Sequence, residues 1–106
     1  IRPFSWNWWG GATEMLAPLY EQYVETTQPL VEELLAALGQ EDFETARKKA
    51  HSCAGASKTA GAMRFGAMCS RIEKAIVQKD FPMAKELGGF VGEAFAQVVQ
   101  AIQEIS

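Results

Sequence analysis

Apolar residues recur every three or four positions through most of this chain, and this spacing constrains the fold more than any other feature. Almost no stretch alternates apolar and polar residues, as a half-exposed strand would. The pattern therefore predicts an all-α protein. The stripes comprise Leu16, Tyr20, Tyr23, Leu34, Leu35 and Leu38; Phe43, Ala46, Ala50, Cys53, Ser57 and Ala60; Phe65, Met68, Cys69, Ile72 and Ile76; and Ala84, Leu87, Val91, Phe95, Val98, Ile102 and Ile105.

Residues that end or start helices separate the four segments. Gly39-Gln40 ends the first segment, and either Glu41 or Asp42 can cap the second. Gly61 divides the second segment from the third, and residues 80–82, which include a proline, start the fourth. Within the first segment, Pro29 is expected to kink or split the helix near residues 27–28.

Short loops between amphipathic helices favour an antiparallel up-down-up-down four-helix bundle, which we place at residues 13–106. Residues 1–12 differ, because Trp6, Trp8 and Trp9 crowd a stretch that ends in two glycines. We expect a short N-terminal lid there, although exposed tryptophans also serve as contacts to partners or to a parent domain. Gly88 and Gly92 predict the close approach of a neighbouring helix.

Composition excludes several classes of protein. At 106 residues, with 48% hydrophobic and 22% charged residues, the chain has the size and composition of one soluble globular domain. A net charge of −3 argues against general nucleic-acid binding, and no apolar run approaches the ~20 residues that span a bilayer. The chain begins with Ile1, which favours a processed chain or a piece of a longer one and leaves a membrane-anchored parent open.

Two cysteines and one histidine offer too few ligands, at the wrong spacing, for a zinc site. Cys53 and Cys69 lie among apolar residues, so we favour buried free thiols over a disulfide. Free thiols fit a reducing compartment, and we therefore expect the protein, as a free chain or as part of a larger one, to lie in the cytoplasm.

His51 is the only histidine, and it falls in the middle of a predicted helix. It is rotated by about 100° from the apolar stripe at Ala50, so we expect it to be exposed. Gly55, one turn later, removes side-chain bulk where another molecule can approach. A neutral imidazole has a nitrogen lone pair that can attack phosphorus without a separate base. These features favour a reactive His51 over a merely structural one.

Cations surround the predicted His51 face. Arg47 and Lys48 precede it by about one turn, and Lys58 follows by two. Helical side chains lean toward the N-terminus, so Lys58 leans toward His51 and Lys48 leans away. Lys58 is thus the better candidate to neutralise negative charge at His51, whereas simple solvation suits Lys48.

The segment from Ala50 to Ala62, AHSCAGASKTAGA, resembles the signature of the histidine-containing phosphotransfer (Hpt) family. His51, Gly55 and the Gly61-Ala62 pair match that pattern, and the flanks from about residue 13 to 105 are also similar. The resemblance departs at Ala54, where the family usually has a lysine that contacts phosphoryl oxygens and the docking partner. Lys58 is the candidate to replace it.

The resemblance implies a phosphoryl carrier rather than an independent enzyme. Phosphorus would bind Nε2 of His51 and pass to or from an aspartate of a response-regulator receiver domain, within a phosphorelay that includes a sensor or hybrid histidine kinase. No cofactor or metal is expected, because magnesium belongs to the receiver. Arg47, Lys48, Gly55 and Lys58 would form the docking face of a monomer that contacts neither membrane nor nucleic acid.

Two other interpretations stay open. In the first, the chain is a helical scaffold that docks a receiver without transfer, and Ala54 in place of lysine supports it. In the second, it is the dimerisation and phosphoacceptor domain of a sensor kinase. The absence of the expected proline after His51 argues against this second alternative.

Overall fold

The computed structural model describes the backbone of residues 17–105 and the side chains of residues 20–104. Four helices fill this range: α1 (Ala17–Gly39), α2 (Phe43–Ala60), α3 (Met63–Val77) and α4 (Phe81–Ile105). Each packs against two others in the cyclic order α1, α2, α3, α4 and back to α1. The two- and three-residue connections make neighbours antiparallel, so the predicted all-α four-helix bundle is confirmed. The expected N-terminal lid and its three tryptophans lie outside the described residues.

Helix α1 runs through Pro29 without interruption, so the predicted split near residues 27–28 is wrong. Proline removes one backbone donor, which leaves the carbonyl of Glu25 without its usual partner. Both Glu25 and Pro29 are exposed, so water can replace that hydrogen bond. Meanwhile Tyr23 and Val31, on either side, are buried and hold the helix to the bundle.

Local capping chemistry sets the other helix boundaries. The Asp42 side chain accepts a hydrogen bond from the amide of Thr45 at 3.3 Å, so Asp42 rather than Glu41 caps α2. Gly61 ends α2 with φ of 98°, a left-handed conformation that glycine adopts without a side-chain clash. Asp80 caps α4 by accepting from the amide of Met83 at 3.3 Å. The predicted breaks at the last two connections are therefore confirmed.

The predicted apolar stripes form the core. Of the predicted residues whose side chains are described, all are buried except Leu35, Phe43, Met68 and Leu87, which are partly buried and pack against the core. Gly88 explains one close helix contact, because a Cβ added there would lie 2.5 Å from Cδ1 of Leu38 on α1. At Gly92 the corresponding distance to Leu35 is an ordinary 3.8 Å. The predicted close approach is thus confirmed at Gly88 and is looser at Gly92.

Buried polar groups join α1, α2 and α3 beneath the surface that carries His51. The Tyr23 hydroxyl and the Ser57 hydroxyl are 2.7 Å apart, and burial raises the pKa of Tyr23. Cys53 and Cys69 are free and fully buried, with their Sγ atoms 3.3 Å apart. The hydrogen bond that Cys69 donates to Cys53, together with burial, raises the pKa of the Cys69 thiol. The predicted free thiols therefore help to pack α2 against α3.

Candidate functional site

His51 stands on the outer face of α2. Its side chain is 73% exposed, although its neighbour Ala50 is fully buried. This contrast follows from the 100° rotation between consecutive helical residues, which turns the imidazole away from the core as predicted. A second molecule can reach the ring directly from solvent.

One nitrogen of the His51 ring has a fixed partner. The Nδ1 atom lies 3.0 Å from Oε2 and 3.2 Å from Oε1 of Glu73 on α3. A carboxylate only accepts hydrogen bonds, so this contact favours the tautomer in which Nδ1 carries the hydrogen. In the neutral ring Nε2 then holds the lone pair. In that tautomer Nε2 is the ring nitrogen that is able to act as a nucleophile.

Sequence reasoning missed the role of Glu73, yet the sequence contained a signal for it. Helices α2 and α3 form a hairpin around a two-residue turn that ends at Ala62. His51 lies eleven residues before Ala62, and Glu73 lies eleven residues after it. In an antiparallel hairpin, residues at equal distances from the turn reach the same level along the helix axes. Only the rotation of α3, which packing decides, was needed to aim Glu73 at the ring.

No side chain projects from the helix surface at Gly55, one turn after His51. Gly55 is exposed, and a Cβ added there would meet nothing within 4 Å. The open space at Gly55 thus lies on the solvent side of α2, on the surface that also carries His51. Ala54 points the other way and is only 5% exposed, at the contact between α2 and α3. A phosphoryl group on His51 would therefore not meet the Ala54 side chain at the open surface.

The cations on α2 are bound to different degrees. Arg47 makes a bidentate contact with Glu44, at 2.7 and 3.3 Å, which raises the pKa of Arg47 and lowers that of Glu44. Lys48 is exposed and makes no hydrogen bond or ion pair within the described range. Part of the positive charge of Arg47 is therefore already neutralised, whereas the ammonium group of Lys48 is solvated.

Lys58 crosses from α2 to α3. Its Nζ atom donates a hydrogen bond to Oγ of Ser70 at 2.8 Å. Ser70 lies three residues before Glu73, so the ammonium group is one turn of α3 away from the carboxylate that holds His51. The backward lean predicted for Lys58 agrees with this position. Ser70, like Glu73, is a residue of the site that the sequence reasoning missed.

A family model described as the Hpt domain matches residues 18–105, which is most of the chain. The chain belongs to the Hpt family. Hpt domains act in histidine phosphotransfer within phosphorelays, a reaction that requires a reachable imidazole of the kind seen at His51. Neither the comparison with curated proteins nor that with solved structures gave a match.

The remaining surface of this Hpt domain adds two facts. Among residues 17–105, no helix is long and apolar enough to cross a membrane. In the same range, no three potential ligands among His, Cys, Asp and Glu gather as a metal site would require.

Proposed function

We propose that His51 is the residue of this Hpt domain that carries the phosphoryl group, on Nε2, and that it exchanges this group with aspartates of response-regulator receiver domains. The hydrogen bond between Nδ1 and Glu73 is the observation that carries the proposal. It favours one tautomer and directs the lone pair of an exposed ring into the solvent. The domain supplies a nucleophile and a docking face, and it acts as a carrier rather than as an independent enzyme.

Phosphoryl transfer to His51 needs no reactant other than the ring and the aspartyl phosphate. The Nε2 lone pair attacks the phosphorus of an aspartyl phosphate, the N–P bond forms, and the bond from phosphorus to the aspartate oxygen breaks. The electron pair leaves with the aspartate, which becomes a carboxylate. The phosphorylated ring keeps its hydrogen on Nδ1 and gains positive charge, which the Glu73 carboxylate stabilises. Transfer to a second receiver is the same step in reverse.

Charge supports docking on the side of the bundle that carries His51. Helices α2 and α3 together contain seven Lys and Arg residues and two Glu residues, a net charge of +5. Receiver aspartates occupy acidic pockets, as the family resemblance implies, so the approaching surface is negative. Opposite charges accelerate encounter and orient the two proteins. Arg47, Lys48 and Lys58 belong to this half, and Gly55 leaves room beside His51.

Replacement of the histidine tests the proposal. We expect His51→Gln to fold normally, because the side chain is largely exposed and such substitutions usually change stability by less than about 0.5 kcal/mol. The variant should take up no acid-labile phosphate from a labelled, phosphorylated receiver. Circular dichroism and thermal melting check the fold. A receiver whose acceptor aspartate is replaced by asparagine serves as the unlabelled control. Full labelling of His51→Gln would contradict the assignment.

A receiver-docking scaffold without transfer is the second candidate, and Ala54 favours it, because the lysine usual in the family is missing. The two functions differ in one measurement. A scaffold would bind the receiver by calorimetry while the wild-type domain gained no phosphate over many minutes of incubation. A carrier would bind and become labelled in the same mixture.

A further inference from the structure

We propose that Gly66 and Ser70 of α3 form a seat for Lys58, the Lys58 seat, and that both act as positioning residues for phosphoryl transfer. The inference rests on the proposed function of His51 and names the residues that place a cation near it. In this chain the usual lysine position is occupied by Ala54, which is only 5% exposed. We assign the compensating role to Lys58, one turn further along α2, because its ammonium group is held on α3 by Ser70.

Gly66 provides the space for the Lys58 stem. A Cβ added at Gly66 would lie 2.7 Å from Cγ of Lys58, 3.2 Å from the carbonyl oxygen of Ala54 and 3.3 Å from the amide nitrogen of Lys58. Two of these three atoms belong to the backbone and cannot easily give way. A glycine within a helix is unfavourable by about 1 kcal/mol relative to alanine. Its presence here is explained by the close approach of α2, whose backbone and Lys58 stem together occupy the space that a side chain would need.

Ser70 fixes the position of the ammonium group at the end of the Lys58 side chain. The lysine crosses α3 at Gly66, and its ammonium group bonds Ser70 four residues later, about 6 Å further along the helix. That direction leads toward Glu73 and hence toward His51. The hydrogen bond of 2.8 Å therefore holds the charge at the end of the seat nearer to the reactive ring.

The chemistry of Ser70 also preserves the charge of Lys58. Three other cations of the bundle are bound by carboxylates: Arg47 by Glu44, Lys49 by Glu33 and Lys85 by Glu41. In each of these pairs, the carboxylate offsets most of the positive potential that the cation would exert on a nearby group. Ser70 offers a neutral hydroxyl instead, so Lys58 is oriented and yet keeps its full charge for an incoming phosphoryl group.

The test measures single-turnover transfer from a labelled, phosphorylated receiver to the Hpt domain. We expect Ser70→Ala to slow transfer at saturating receiver about two- to fivefold, the range of one exposed hydrogen bond to a charged group, without weakening binding. Ser70→Thr should restore the rate, because it keeps the hydroxyl. Ser70→Asp should slow transfer at least as much as Ser70→Ala, because a carboxylate pairs with Lys58. The matched control is Thr26→Val, which removes a hydroxyl from an exposed residue of α1.

A double-mutant cycle separates positioning from general structure. In a Lys58→Ala background, Ser70→Ala should have no further effect on the rate, since there is no ammonium group left to place. Gly66→Ala should slow transfer in the wild type, and only the part of this effect that comes from the clash with the Lys58 stem should be lost with Lys58→Ala, because the close contacts with the backbone of α2 remain. Lys48→Ala, which removes a solvated cation, should slow transfer less than Lys58→Ala.

Failure of the proposed function of His51 and failure of the Lys58 seat give different results. If the wild-type domain takes up no phosphate, the proposed function of His51 fails. If wild type transfers normally and Lys58→Ala slows it, while Ser70→Ala matches wild type, the Lys58 seat is overturned and the carrier function stands. Equal effects of Ser70→Ala with and without Lys58 would likewise overturn the seat, since Ser70 would then act by another route.

Discussion

At the scale of single residues, the two nitrogens of His51 have different surroundings. Nδ1 is bound to the carboxylate of Glu73, which is itself largely shielded, with 24% of its side chain exposed. Nε2 is the nitrogen outside this contact, in a side chain that is 73% exposed. The carboxylate thus orients the ring and favours one tautomer, and under the proposed function it would also offset the positive charge of a phosphorylated ring.

Substitution of Glu73 tests these contributions. Glu73→Ala removes all three, and we expect transfer to fall roughly tenfold, which corresponds to about 1.4 kcal/mol in the barrier. Glu73→Gln keeps an oxygen that can accept from Nδ1 but loses the charge, so its rate should lie between those of wild type and Glu73→Ala. Single-turnover labelling measures both. Equal rates for Glu73→Ala and wild type would show that the ring needs no partner.

At the scale of helices, capping residues and glycines decide boundaries and spacing. The caps at Asp42, Gly61 and Asp80 depend on local chemistry, so they were predictable from the sequence. The split predicted at Pro29 was wrong because the effect of a proline on a helix depends on its surroundings. The proline lies on the exposed side of α1, where water can satisfy the freed carbonyl, while neighbouring buried residues keep the helix in place.

Two adjacent glycines of α4 give a matched test of helix spacing. Alanine at Gly89 meets nothing within 4 Å, so Gly89→Ala should stabilise the fold by up to about 1 kcal/mol through helix propensity. Alanine at Gly88 gains the same propensity but presses on Leu38, which is buried and restricted. We expect Gly88→Ala to be at least about 1 kcal/mol less stable than Gly89→Ala. Urea unfolding measures both; equal stabilities would mean that Leu38 moves aside freely.

At the scale of the whole molecule, charge is divided between two halves of the bundle. Helices α2 and α3 carry a net +5, whereas α1 and α4 together contain one lysine and seven glutamates, a net −6. The overall charge of −3 conceals this division. An acidic partner is attracted to the half that carries His51 and repelled by the other, which orients it before contact.

Charge reversal on each half tests this orientation. Arg71→Glu on exposed α3 should lower the association rate with an acidic receiver several-fold at low salt, and much less at physiological salt, where the Debye length is about 8 Å. Lys85→Glu changes the net charge equally on α4 and should have a smaller effect. Stopped-flow association measures both rates. An equal loss for the two variants would indicate that only net charge matters.

The sequence by itself determined what depends on neighbours along the chain. Helix periodicity, caps and the rotation of His51 away from Ala50 follow from 3.6 residues per turn, and they predicted four helices, their core faces and an exposed imidazole. The resemblance to the Hpt family rested mainly on the local segment from Ala50 to Ala62, and the family model confirms it over residues 18–105.

Only the tertiary structure decided which side chains of α3 meet the face of α2 that carries His51. The hairpin register places Glu73 level with His51, but the rotation of α3 about its axis depends on how its apolar face packs against the whole core. That packing turns Glu73 toward the ring and Ser70 toward Lys58. The rotation of a helix is set by the burial of many residues together, so the sequence pattern could give the level of Glu73 along the hairpin but not the direction of its side chain.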